Sequence, residues 1–239
     1  MSERLHFRQL LSGRDFATGD EIARQMVNFA YVIGDRERGE AVLVDPAYGV
    51  DELVDLVEAD GLRVTGALVT HWHPDHCGGG LMGYSIEGLR ELLARVSVPI
   101  HAQRDEADWI ERLVGVGASD LTLHDSGDTV VVGDIPITLL HTPGHTPGSQ
   151  CFLVDSRLVS GDTLFLEGCG RTDLPGADPD AMYESLTQRL ATVPDDTVLY
   201  PGHLYSPEPS APLGDVRRRN YVFRLPTLDQ WRTMFGGAS

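Results

Sequence analysis

The stretch from Thr70 to Gly80, THWHPDHCGGG, places His71, His73, Asp75 and His76 within six positions. Imidazole and carboxylate are the donors that bind Zn(II), Fe(II) or Mn(II). The stretch follows an apolar run, ALVT, and precedes a glycine-rich turn, so a strand end would project these side chains from a rigid edge into a cleft. In extended backbone His71 and His73 point to the same side, and Asp75 and His76 come round on the turn that Pro74 starts. Four donors in so short a loop cannot all reach one tetrahedral ion, which implies two metals. A polar surface loop with chance histidines is a poor alternative for a chain of 239 residues with nine histidines.

Three later segments repeat the same context, an apolar strand ending in a glycine-containing turn that presents one donor. TPGHTPG carries His145, SGDTLF carries Asp162 and YPGH carries His203. His141 reads as a packed or hydrogen-bonded residue behind the donors, and His6, His101 and His124 have no supporting context. Cys169 reads as a small buried residue beside the site and not as a nucleophile. Arg171 is placed either to neutralise a substrate carboxylate or to pair with Asp173. Tyr84 and Met82 either line a substrate cleft or pack in the ordinary way.

Mixed α/β layers must position these donors, because short β-branched runs alternate with helical patterns along the chain. Expected strands are MVNFAYVI, AVLVD, TGALVT, VPIHA, IPITLLH, SQCFLVD, RLVSGD and TVLYPG. One expected helix is capped by Ser85, with Ile86, Leu89, Leu92, Leu93 and Val96 as its apolar face. Asp178 and Pro179 open a second, with Met182, Leu186 and Leu190 inward. A third buries Val50, Leu53, Val54 and Val57 and ends at Gly61. From about residue 204 the character changes: Pro207, Pro209 and Pro212 predict an extended surface loop before a final short helix at LDQWRTMF. We therefore expect one domain over 1–239 with a Pro-rich C-terminal extension, through which a homodimer could form.

A formal net charge of −17 repels phosphate backbones and anionic lipid surfaces, which argues against nucleic-acid or membrane partners and for a small-molecule substrate. The RRRN run at Arg217–Asn220 is too short to reverse that balance and reads as a solvated or ion-paired turn. No run is apolar enough to span a bilayer, the N-terminus is polar where a secretory signal would be apolar, and Cys77, Cys151 and Cys169 are odd in number and widely spaced. The expected compartment is the cytoplasm.

The HWHPDH stretch with the later His145, Asp162 and His203 resembles the metallo-β-lactamase-fold superfamily, over residues of about 26 to 203. The resemblance implies a four-layer αβ/βα sandwich of two mixed β-sheets flanked by helices. It also implies that His71, His73 and His145 hold one divalent ion, that Asp75, His76 and His203 hold another, and that Asp162 bridges them. The stretch GDTLFLEGCGRTDLPG, Gly161–Gly176, is similar to the glyoxalase II and persulfide dioxygenase group. Glyoxalase II typically continues into a helical domain that supplies basic residues to glutathione, whereas 36 residues follow His203 (239 − 203). The implied activity is a hydroxyacylglutathione hydrolase-like cleavage of a thioester or ester by a hydroxide bridging two ions, Zn(II) before Fe or Mn. Asp75 and Asp162 would then be catalytic as well as ligating, and Arg171 and Tyr84 the substrate contacts. The alternative is a mononuclear Fe(II) persulfide dioxygenase that uses His71, His145 and Asp162 as its ligands. A metal-stabilised binding protein without catalysis fits poorly with seven intact donor positions.

Overall fold

A computed structural model, which describes residues 4–225 and 227–236, stacks two six-stranded sheets face to face. In chain order the first strands are β1 (Leu5–Leu11), β2 (Phe29–Asp35), β3 (Glu40–Val44), β4 (Arg63–Leu68), β5 (Gly79–Leu81), β6 (Tyr84–Ile86) and β7 (Ile100–Gln103). They are followed by β8 (Leu121–His124), β9 (Thr129–Val132), β10 (Ile135–His141), β11 (Gln150–Val154), β12 (Arg157–Gly161), β13 (Val198–Pro201) and β14 (Ala211–Pro212). The helices are α1 (Glu21–Met26), α2 (Val50–Ala59), α3 (Pro74–Cys77), α4 (Leu89–Arg95), α5 (Ala107–Leu113), α6 (Pro179–Glu184), α7 (Leu213–Arg219) and α8 (Leu228–Phe235).

One sheet runs β1-β2-β3-β4-β7-β8 and the other β14-β13-β12-β11-β10-β9. Both are mixed: β3, β4, β7 and β8 pair in parallel, as do β12 and β13, and the other neighbours are antiparallel. Parallel pairs need a crossover, which α2 supplies between β3 and β4 and the α6 region between β12 and β13.

The side-chain period of two sorts β2 into two cores. Phe29, Tyr31 and Ile33 enter a cluster with Val130, Val132, Ile137, Leu139, Phe152 and Val159 of the opposite sheet. Ala30 and Val32 enter another with Leu53, Val54 and Val57 of α2, Leu89 and Leu92 of α4 and Ile110 of α5. A third cluster packs Cys151, Leu158 and Leu199 against Met182, Leu186, Leu213, Val216 and Trp231. The layers are thus helix, sheet, sheet, helix, as the resemblance implied, and β2 is buried along its whole length because both its faces are covered.

All eight expected strands form, and β1, β5, β6, β8, β9 and β14 add to them. Two expectations are corrected. Ser85 caps no helix: it lies in the β5–β6 hairpin opposite Gly80, and α4 starts at Leu89 after Gly88, whose N–H donates to Glu91 Oε2 at 2.9 Å. Gly88 is required there, since a Cβ would stand 2.1 Å from the Cys77 carbonyl oxygen. The segment after residue 204 is not simply a loop, because β14 pairs with β13 and α7 buries Leu213 and Val216 on the second sheet. The arginine run is ion-paired as expected, in the last turn of α7: Arg217 pairs with Asp195 and donates to the Leu190 and Val193 carbonyls, and Arg218 pairs with Asp215.

The expected Asp178 cap is present, accepting from the Asp180 and Ala181 N–H groups. On α8, Trp231 is fully buried and its Nε1 donates to the Pro179 carbonyl at 2.6 Å, joining the last helix to the start of α6. Trp231→Ala should therefore cost about 3–5 kcal/mol, the usual range for emptying a large aromatic site. Urea unfolding measures this, and a loss below about 1 kcal/mol would mean that α8 is not integral to the third cluster.

Candidate metal centre

One edge of the sandwich collects the donors. From the first sheet, Asp45 follows β3 and His71, His73, Asp75 and His76 follow β4; from the second, His145 follows β10, Asp162 follows β12 and His203 follows β13. Backbone bonds sew the two sheets together here: Gln150 N–H donates to the Thr70 carbonyl and Phe29 N–H to the Gly202 carbonyl. Gly161 allows a close approach, since a Cβ there would stand 2.5 Å from Thr70 Oγ1.

The seven expected donors come together in two groups. His73 Nδ1 lies 3.1 Å from His71 Nε2 and 3.0 Å from His145 Nε2. Asp75 Oδ2 lies 3.5 Å from His76 Nε2 and 3.4 Å from His203 Nε2, and those two nitrogens are 3.3 Å apart. Asp162 stands between the groups, with Oδ2 3.7 Å from His145 Nε2 and 3.3 Å from His203 Nε2, and Oδ1 3.4 Å from His76 Nε2. Asp162 Oδ1 is buried and has no hydrogen-bond partner among the described residues.

Outer hydrogen bonds decide where each ring aims its lone pair. His145 Nδ1 donates to the Arg171 carbonyl at 2.8 Å and His203 Nδ1 to the Met26 carbonyl at 2.8 Å. His76 Nδ1 donates to Asp45 Oδ2 at 2.9 Å. Thr70 Oγ1 gives its proton to Asp45 Oδ2 at 2.6 Å, so it accepts from His71 Nδ1 at 3.0 Å. With those outer nitrogens protonated, the Nε2 lone pairs of His71, His76, His145 and His203 all face inward. A proton can relieve one close nitrogen pair, whereas a cation can accept from three donors at once. For Zn–N bonds near 2.0–2.1 Å a tetrahedral site separates its donors by about 3.3 Å, so both groups fit a divalent ion.

The charges agree with that fit. Burial and the neighbouring rings push His71 far down and His73 to about 4, which keeps both neutral as metal binding requires. Burial alone would raise Asp75 and Asp162, yet His76 and His203 hold both well below the usual carboxylate range. Burial opposes charge on His203 as well, but Asp162 and Asp75 overcome it and hold a proton there, at a place where a cation would be held by the same carboxylates.

Four further residues, none of them among the expected donors, position the site. Asp45 binds the Thr70 N–H, the Thr70 hydroxyl and His76, which occupies both of its oxygens and makes it an orienting group, not a donor to an ion. Its signal was present, since it too ends an apolar strand, VLVD. Asn28 Nδ2 donates to Asp75 Oδ2 at 3.0 Å, and Tyr48 donates to Asn28 Oδ1 at 3.4 Å. The buried Glu106 accepts from Trp72 N–H at 2.9 Å, Gly148 N–H at 2.6 Å and the Thr146 hydroxyl, tying the loop of His71 and His73 to that of His145. Burial pushes its carboxyl up to about 7 despite those donors.

The remaining candidates lie outside the cluster. The Arg171 side chain pairs with Asp173 at 2.8 and 2.9 Å, and only its carbonyl reaches the site. Tyr84 is 57% and Met82 93% exposed on the hairpin, so neither is packed in a core, and no hydrogen bond or ring contact joins Tyr84 to the donors among the described residues. His141 Nε2 donates to the Pro147 carbonyl at 2.9 Å. Burial raises Cys151 to about 11 and Cys169 to about 12, which leaves both as thiols at neutral pH.

The family model for the metallo-beta-lactamase superfamily matches residues 24–203. The chain is 33% identical to the mitochondrial persulfide dioxygenase ETHE1 of Homo sapiens over 83% of this chain and 74% of that protein. It is 38% identical to the hydroxyacylglutathione hydrolase of Nitrosococcus oceani over 74% of this chain but 62% of that protein. The crystal structure of ETHE1 from Myxococcus xanthus superposes with a TM-score of 0.78 at 28% identity, covering 97% of this chain and 90% of that one.

If Asp45 aims His76 and, through Thr70, His71, then Asp45→Ala should weaken metal retention about 10–100-fold. Thr70→Val should give a smaller loss, because it frees His71 alone. Competition with a chromophoric chelator reads both, and wild-type retention in Asp45→Ala would refute the orienting role.

Proposed function

The chain belongs to the metallo-beta-lactamase superfamily, and from that premise we propose that it is a hydrolase which cleaves a thioester or ester of the hydroxyacylglutathione type with two divalent ions, Zn(II) first among them. The observation that carries this reading is the pairing of two convergent donor groups with Asp162 between them. His71, His73 and His145 would hold one ion, Asp75, His76 and His203 the other, and Asp162 would contact both. When bound, such ions supply a water of lowered pKa as the nucleophile and a Lewis acid for the carbonyl oxygen.

The chain's own residues do the positioning. Asp75 and Asp162 stay ionised beside their imidazoles and can orient the attacking water. No cysteine competes as nucleophile, since Cys77 and Cys151 are buried and Cys169 remains protonated. Tyr205 stacks on His203 with centroids 4.6 Å apart and rings 7° from parallel, and Phe165 stands edge-on to it at 5.1 Å. Because Tyr205 is 56% exposed, this reading gives the wall of the substrate cleft to Tyr205 and Phe165 and not to Tyr84.

A second reading, a mononuclear Fe(II) persulfide dioxygenase with His71, His145 and Asp162 as ligands, is favoured by two observations. Asn28 Nδ2 donates to Asp75 Oδ2 at 3.0 Å and lies 3.2 and 3.5 Å from His76 and His203 Nε2, so an internal amide already stands among the donors of the second group. The matches to the two ETHE1 proteins also cover more of those chains than the match to the hydroxyacylglutathione hydrolase covers of its own.

Metal counting and turnover separate the readings. The hydrolase should carry two ions per chain, cleave an acylglutathione thioester, lose at least about 100-fold in rate on chelation and recover with Zn(II). One iron per chain, with oxygen uptake on glutathione persulfide and no thioester cleavage, would establish the second reading and overturn the first.

A further inference from the structure

The loop from Asp162 to Arg171 touches both donor groups: it starts at the carboxylate between them, sets Phe165 beside His203, and ends at the carbonyl that fixes His145. Gly170 presses on that ring so closely that a Cβ would stand 2.9 Å from His145 Cγ. Its tip is held from outside the superfamily match, by the chain after residue 203. Asn220, 1% exposed at the end of α7, donates from Nδ2 to the Phe165 carbonyl at 3.1 Å and the Gly168 carbonyl at 2.9 Å. Its Oδ1 accepts from Gly168 N–H at 2.9 Å and Val222 N–H at 3.2 Å. Two carbonyls facing one end of the amide and two N–H groups facing the other fix its orientation and fill its capacity.

The support behind Asn220 is rigid. Leu213 and Val216 of α7 sit in the third core cluster, and Leu213 N–H donates to the Thr197 carbonyl at 2.8 Å. A second fastening lies further along, where Thr172 Oγ1 donates to the Phe235 carbonyl at 2.9 Å. We infer that Asn220 is a positioning residue for the metal centre: by clamping residues 165–168 it holds Asp162 and the Arg171 carbonyl at the spacing both donor groups need. The inference rests on Asp162 and His145 being metal ligands. The C-terminal segment is thereby part of the site's frame, although it contributes no donor.

Co(II) serves as the probe, because its visible absorption reports ligand geometry and chelator competition reports its affinity. Asn220→Ala should bind Co(II) about ten-fold more weakly than wild type and shift its absorption bands. Val57→Ala, a cavity in α2 on the opposite outer layer, should lower stability while leaving affinity and bands unchanged. If Asn220→Ala fails to fold, Thr172→Val, which removes only the Thr172–Phe235 bond, carries the test and should show a smaller loss in the same direction. Wild-type affinity and bands in Asn220→Ala, or in Thr172→Val where it stands in, overturn the clamp. Wild-type protein that takes up no Co(II) overturns the ligand assignment, and the clamp with it.

Discussion

Donor lone pairs pressed within about 3 Å of each other in a buried pocket repel unless a cation or a proton lies between them, and this fold is arranged to force that crowding. Left free, each imidazole would turn its lone pair towards water or a donor. Here Arg171, Met26, Asp45 and Thr70 hold the outer nitrogens, so the inner ones are turned towards the pocket. The affinity for a cation is therefore prepared by hydrogen bonds that never touch it. Asp45 is central, since one carboxylate aims His76 directly and His71 through Thr70.

The layer arrangement explains why the donors divide as they do. A strand can present a side chain beyond its end without breaking its ladder, whereas a donor within β2 or β11 would have to point into one of the cores. Every donor accordingly lies past the end of β4, β10, β12 or β13. Neither sheet holds a complete set: His145 joins the first group from the second sheet, and His76 and Asp75 join the second group from the first. The Gln150–Thr70 and Phe29–Gly202 backbone bonds fix the docking that brings the halves together.

That logic is what made the site readable from sequence. Strand-end context singled out His71, His145, Asp162 and His203 because each pairs a legible signal, an apolar run and a glycine turn, with a donor residue type. Asp45 meets the same rule, but an aspartate before a proline is also the signature of an ordinary turn, which masks its role. Asn28 and Glu106 were beyond that rule: Asn28 precedes its strand, and Glu106 acts on backbone N–H groups of Trp72 and Gly148, whose proximity only the tertiary fold creates. The Ser85 cap failed for a related reason. Local propensity favoured a helix start, but the close approach of Gly88 to Cys77 and the Gly79–Ile86 pairing decided the matter. In the C-terminal segment, prolines marked irregular backbone correctly but carried no information about α7 docking on the second sheet.

Metal binding and sheet docking must consequently be coupled. In the unfolded chain the donors from the two sheets are separated by at least the residues from His76 to His145, and bringing them together costs loop-closure entropy that sheet packing has already met in the folded state. An ion held by donors from both sheets acts as a cross-link that only the docked state can form, and it stabilises that state in proportion to the logarithm of its concentration. The net charge of −17 works in the same direction, because a field that repels polyanions attracts divalent cations. It follows that the carboxylates at the centre, Asp75 and Asp162, are tolerable in a buried pocket only as members of the donor set. Without the rings that neutralise them, desolvation would push both towards the protonated form, and the two groups would lose the charge that draws an ion in.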